Sequence, residues 1–361
     1  MGDLGANALS NCAFIGSIIL SDGLTEIGEN AFRNCRNLES VVIPNSVTKI
    51  GRYAFAWTKM KSITLPHGLT EIGEKAFYKC RNLETVVIPD SVTKIGSGTF
   101  AHSGLKSIIL PHGLTEIGNG SFYECRNLET VIIPNSVTII GCSAFAWSGL
   151  KSIILPDGWL TEIGEYAFCR CSNLETVIIP KTVTKIGPYA FAQSGLKSII
   201  ILHGLTEIGN GAFYNCRNLK TVVIPDSVTK IGLNAFADSG LKSITLLDGR
   251  LTEIGEKAFR ECSNLKTIVI PNSVTKIGPD AFWNSGLKSI TLPHGLTEIM
   301  NWAFYKCRNL EIVVIPETVT KIGPFAFAGS GLKSIILPHG LTEIGEYAFH
   351  DCHNLVVKYR N

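Results

Sequence analysis

Apolar and polar positions return along this chain with a period of about 23 residues, in two alternating forms. One form reads LTEIGENAFRNCRNLESVVIPNS, Leu24 to Ser46. The other reads VTKIGRYAFAWTKMKSITLPHG, Val47 to Gly68. The first carries a cysteine and begins again at Leu69, Leu114, Leu160, Leu205, Leu251, Leu296 and Leu341. The second carries a lysine before its strand and begins again at Val92, Val137, Val183, Val228, Val274 and Val319. The residues before Leu24 hold one worn copy, which puts Cys12 in the cysteine column. A short unit repeated so often cannot bury its apolar face alone. Stacking on its neighbours buries it, so the period predicts a solenoid.

Within a unit, LESVVIP alternates apolar and small polar residues and is rich in β-branched side chains, which predicts a short strand. Leu38, Val41 and Ile43 are expected to point inward, and Pro44, which lacks a donor, ends the strand. Asn37 and its counterparts Gly104, Gly149 and Gly195 tolerate positive φ, so a left-handed residue is predicted there. GENAFRNC places helix formers after a glycine and predicts one or two helical turns. The phenylalanines from Phe32 and Phe55 to Phe349 form one column, expected to stack as a continuous core spine.

The recurring pattern C-x-x-L-x-x-V-x-I-P-x-x-V-T-x-I-G-x-x-A-F resembles the BspA-like leucine-rich repeats, the type also found in treponemal repeat proteins. Ser46, Ser91 and Thr182 stand where the commonest leucine-rich repeats place Asn or Cys. The resemblance implies an α/β repeat solenoid, a leucine-rich-repeat superhelix with a parallel β-sheet on the concave side and short helical turns on the convex side. It would run as a single solenoid over residues 1–361, with a degenerate first coil at 1–23, alternating 23- and 22-residue coils over 24–340 and a C-terminal capping coil at 341–361. The cap is expected because Lys358 and Arg360 fall at inward positions. The family implies a non-enzymatic binding role, adhesin-like or in protein interaction, at a cell surface and toward extracellular matrix or host proteins. It brings no catalytic residue, cofactor or metal.

On such a fold the outward strand positions line the concave face. Here they include Val87, Ile109, Ile132, Ile154, Ile178, Ile200 and Val223, beside a row of Ser and Thr. An apolar stripe of that length suits a macromolecular partner. A structural protein whose copies associate with one another is the alternative, with the poorly covered N-terminal edge as one place for contact.

Charge sharpens the picture. Glu26, Lys49, Glu71 and Lys94 alternate in sign down successive coils, as do Glu39, Lys61, Glu84 and Lys106. Opposite charges then sit side by side, and a slip by one coil would set like against like. The second ladder loses its alternation at Lys197, Lys220, Lys242, Lys266 and Lys288, a continuous basic row suited to an acidic partner segment. Net charge is +3, so the total points to no nucleic acid, and no apolar run approaches the ~20 residues that span a bilayer. No secretory leader is evident at the start, and the odd count of 11 cysteines suits a reducing compartment, whereas the family suggests the surface. The cysteine column occupies alternate coils, roughly 10 Å apart, too far for disulfides along it; small buried fillers are expected. Histidines just past the strand, His67, His112, His203, His294 and His339, lie near Asp90, Asp226 and Glu317 of adjacent coils.

Overall fold

The computed structural model describes residues 2–353 and 355–359. The chain divides into two compact units, residues 1–177 and 178–361. Each is a stack of coils joined by parallel ladders. In the first unit Ser62–Thr64 pairs with Thr85–Val87, and Ser107–Ile109 with Thr130–Ile132, all in parallel and in register. In the second, Thr221–Ile224 pairs with Ser243–Leu246, and Ile312–Val314 with Ser334–Leu337. Along the first-unit strands the burial pattern is exposed, buried, exposed, as their alternation predicts, and the second-unit strands alternate in the same sense. A second row of two-residue strands follows the turn after each of these strands. It holds Lys49–Ile50, Glu71–Ile72 and Lys94–Ile95 in one unit and Lys230–Ile231, Glu253–Ile254 and Lys276–Ile277 in the other, each with its isoleucine inward.

The predicted helical turns are absent: among the described residues there is no helix. The segment Gly28–Cys35 shows why. Asn30, Phe32 and Asn34 donate their N–H groups to Arg52, Ala54 and Ala56 of the next coil, at 2.7–2.8 Å. Between them Ala31, Arg33 and Cys35 donate back three residues within their own coil. Alternate N–H groups therefore point along the stack, where an α-helix would send all of them along its own axis. This geometry needs a left-handed residue at every fourth place: Asn30 and Asn34, then Tyr53 and Trp57, then Lys75 and Lys79, and so on in every coil. A left-handed L-residue costs about 1–2 kcal/mol, offset here by a third inter-coil hydrogen-bond ladder. Helix propensity in GENAFRNC lost to bonds that only a neighbouring coil can supply.

The same fact corrects the expected left-handed position before the strand. Asn37, Gly104 and Gly149 do not have positive φ. Gly104 is required for close approach instead: a Cβ there would overlap the carbonyl oxygen of Arg81.

The core is the phenylalanine spine. Phe32, Phe55, Phe77 and Phe100 stack at centroid separations of 5.2–5.5 Å with planes within 8° of parallel. Phe213, Phe236, Phe259 and Phe282 stack likewise in the second unit at 5.2–5.5 Å, with planes within 12° of parallel. The separation is set by the coil spacing, slightly wider than a bare strand repeat.

The cysteine column turns out to be polar as well as space-filling. Cys125 donates its thiol to the carbonyl of Phe100 at 3.0 Å and meets the Ser103 hydroxyl at 3.3 Å. Cys262 repeats this with Phe236 and Ser239, and Cys307 with Phe282 and Ser285. Serine or threonine thus fills the column in the coils without cysteine. None of the eleven cysteines is in a disulfide. Burial pushes the thiols of Cys80 and Cys125 up to about 11 and those of Cys171, Cys262 and Cys307 up to about 12, against the lowering effect of their hydroxyl partners.

The last strand, Val356–Tyr359, pairs with Ser334–Leu337 so that Lys358 sits opposite Ile336, in the outward row. The alignment of repeats had put Lys358 inward; pairing with the preceding strand shifts the register by one residue, which reverses its side. Arg360 lies outside the described residues.

Candidate binding surface

The strand row places every second side chain outside the core, because side chains alternate across a strand. In the first unit Val87, Ile109 and Ile132 are 65%, 66% and 63% exposed, and Ile154 is 83% exposed. In the second unit Ile178, Ile200 and Val223 are exposed in the same row, followed by Val269 and Val314. Beside Val87 and Ile109 run Thr85 and Ser107, also exposed, so the apolar row has a hydroxyl border. A groove of ≈580 Å³ opens on this face, lined by Val87, Ile109, Asp90 and His112 among others. Asp90 holds the groove's edge by accepting the N–H of His112 at 3.1 Å. In the second unit His203 Nδ1 lies 2.7 Å from Asp226 Oδ1, the histidine–carboxylate proximity read from the repeat.

Charge ladders flank the row. Lys106 contacts Glu84 at 2.7 Å, Lys151 contacts Glu129 at 2.8 Å and Lys333 contacts Glu311 at 2.9 Å. In the second row of strands, Glu253 sits between Lys230 at 3.4 Å and Lys276 at 3.1 Å. Burial raises the Glu253 carboxyl, but the hydrogen bond from Lys276 and the two lysine charges outweigh it and hold it low. The alternation therefore works as the sequence predicts, although exposed pairs of this kind contribute little each.

The basic row is present and exposed. Lys197, Lys220, Lys242, Lys266 and Lys288 lie on consecutive coils of the second unit. Their backbones are directly bonded: Lys220 N–H to Lys197 carbonyl, Lys242 to Lys220, and Lys288 to Lys266. Lys220 and Lys266 turn their ammonium groups toward the carbonyls of Arg217 and Ser263, each at 3.4 Å. Among the described residues no group of three or more His, Cys, Asp and Glu is placed to hold a metal ion, and no helix is long and apolar enough to cross a membrane.

A second feature escaped the reading of the sequence. On the turn ladder of the first unit, Tyr53, Trp57, Tyr78, His102 and Tyr123 form a row of edge-to-face and stacked rings, 5.1–6.3 Å apart. Arg33 lies over both Tyr53 and Trp57, and Lys79 over Tyr78 and Trp57. These residues occupy left-handed and intervening positions that read as variable surface, so no periodic pattern marked them.

A family model described as BspA type leucine rich repeat region (6 copies) matches residues 2–129, 115–242 and 229–356. A leucine-rich repeat protein from Bacteroides ovatus has a solved structure similar to this one. It is 30% identical, with 99% of this chain and 87% of that chain covered and a TM-score of 0.64. A leucine-rich repeat protein from Eubacterium ventriosum is similar at 26% identity and TM-score 0.54, over 88% of this chain and 83% of that one. No curated protein matches the chain.

Proposed function

Since the chain belongs to the BspA-type leucine-rich repeat family, a solenoid fold typical of protein–protein interaction, we propose that it is a non-enzymatic, adhesin-like binding protein that grips a protein partner with its strand row. One observation carries this reading: the outward row stays apolar and exposed over coil after coil, from Val87 to Ile154 and from Ile178 to Val223. Water-exposed valine and isoleucine in a line along each unit gain free energy when covered, at about 25 cal/mol per Å² of apolar area. The hydroxyl border supplies hydrogen bonds at the rim, and the lysine row of the second unit receives acidic side chains of the partner. Extracellular matrix proteins are the class of partner to test first.

The test is capture of immobilised matrix proteins by the full chain and by the variant Ile109→Glu/Ile132→Glu/Ile154→Glu. Loss of capture with circular dichroism unchanged is the expected result; a triple variant that retains every captured partner removes the strand row from consideration. The same apolar row favours a second reading, in which two copies cover each other's stripe. Light scattering across a hundredfold range of concentration separates the two readings, because a strict monomer rules out self-association.

A further inference from the structure

Away from the strand row, the first unit contains a cleft of ≈420 Å³ whose walls include Arg36, Trp57, Lys59, Lys79, Arg81 and Asn82. Four cations face it and no carboxylate lines it. Among the described residues, none of the four is ion-paired with an acidic side chain. The equivalent cleft two coils further on shows the contrast: it shares Arg81 but also holds Glu124, which sits 3.0 Å from Arg126. The chain's net charge of +3 does not reveal this local excess, because it is the total of 33 basic and 30 acidic residues spread over every coil.

The repeat is broken at this cleft. Between the column hydroxyl and the inward aliphatic residue, the other lysine-bearing coils have a glycine: Gly104, Gly149, Gly195, Gly240, Gly286 and Gly331. A Cβ at Gly104, Gly149 or Gly240 would overlap the carbonyl oxygen of Arg81, Arg126 or Arg217. Lys59 takes this place in the coil between Arg36 and Arg81. Its backbone has moved to make room. Gly104 donates to the carbonyl of Cys80, whereas Lys59 donates to the carbonyl of Leu38 at 3.1 Å. The array gives up its regular backbone at this one coil, and the gain is a third cation in line, on coils stacked about 5 Å apart.

The ring in the cleft is not free to stack. Arg33 from the coil before lies 5.0 Å from the Trp57 centroid, and Tyr78 from the coil after meets it edge-on at 5.1 Å. A flat base or sugar ring therefore finds no open aromatic face, and recognition falls to charge and hydrogen bonds. Guanidinium groups pair with tetrahedral oxyanions through two parallel N–H donors, and ammonium groups add point charge. Arg36 spends only its Nε–H, on Asn34 at 2.8 Å, leaving its remaining donors for a ligand.

We propose that this cleft is a binding site for a compact polyanion presenting neighbouring phosphate or sulfate ester groups. The site is separate from the strand row and stands or falls independently of it.

The experiment is isothermal titration of the full chain with myo-inositol hexakisphosphate and with sucrose octasulfate. Three variants accompany it: Lys59→Gly, Arg81→Gln, and Lys220→Gln/Lys242→Gln/Lys266→Gln. Lys59→Gly restores the residue used by the sister coils, and Arg81→Gln leaves the backbone as it is, so loss of folding does not blur the outcome. Binding of the probes is expected to weaken about tenfold in each of the first two variants and to hold in the third. Tighter binding of the phosphate probe assigns a phosphorylated ligand, tighter binding of the sulfate probe a sulfated one, and equal binding assigns the shared oxyanion chemistry. The proposal is overturned if neither probe binds, if affinity falls in the Lys220 triple variant but not in Lys59→Gly, or if oligothymidylate binds more tightly than both probes.

Discussion

Truncating Phe304 to alanine tests the spine on which the stack is built. Its ring is fully buried and lies 5.4 Å from Phe282 and 5.1 Å from Phe327, with planes within 9° of parallel. Removing a buried phenylalanine costs about 3–5 kcal/mol through lost burial and the cavity left behind. Phe304→Leu keeps much of the volume and loses both ring contacts, each worth about 0.5–1.5 kcal/mol, so it is expected to cost about 1–3 kcal/mol. Because a coil touches only its neighbours, the loss is local. Hydrogen exchange followed by mass spectrometry should therefore show it in peptides spanning Phe282 to Phe327. A cost of about 4 kcal/mol accelerates exchange through local opening on the order of a thousandfold there, with far less change around Phe213. The leucine variant should fall between parent and alanine. Uniform loss of protection along the chain, or a leucine variant as damaged as the alanine one, would refute the picture of nearest-neighbour stacking.

Three further outcomes follow from particular residues. Gln193 has φ +56°, so in denaturant titrations Gln193→Gly should raise the unfolding free energy and Gln193→Val lower it, each by about 1 kcal/mol; a helical turn would instead make the glycine variant the less stable of the pair. Native-state titration with a thiol reagent at pH 8 should find Cys142 fast and Cys80, Cys125, Cys171, Cys262 and Cys307 silent until unfolding, since the last five are buried with raised pKa values; rapid modification of any of them contradicts that burial. The hydrogen bond and charge of Lys106 hold the Glu84 carboxyl below its ordinary 4.5, so the pair's stabilisation is present above pH 4.5 and is lost as pH falls through the lower folded value. Carboxyl NMR should show the Glu84 midpoint return toward 4.5 in Lys106→Gln, and an unchanged midpoint would mean the contact is not formed in solution.

Much of the molecule is legible in one dimension because a repeat lets each column be read many times. Val41, Val86 and Val131 inward and Val42, Val87 and Ile132 outward follow from alternation alone, and the paired Glu84 and Lys106 follow from spacing. The strand row and its lysine border were readable for the same reason. What the columns misjudged was the conformation of GENAFRNC, expected to be helical, and what they read only in part was the function of Cys35 and its successors. A cysteine among leucines reads as filler until a Phe100 carbonyl lies 3.0 Å from its sulfur.

The sequence by itself determined the stacking, the sidedness of the strands and the charge order, since these depend on which residue types recur at which interval. Only the tertiary structure decided the rest. Asn30 and Tyr53 adopt left-handed backbone because the carbonyls that accept their own N–H groups belong to another coil, 22 or so residues away. The cationic cleft has the same origin: Arg36, Lys59, Lys79 and Arg81 lie on three coils, and only stacking those coils brings four like charges around one cavity. Local propensity acts on residues close in sequence, whereas these features are set by hydrogen bonds and charges between residues that are close only once the chain has coiled.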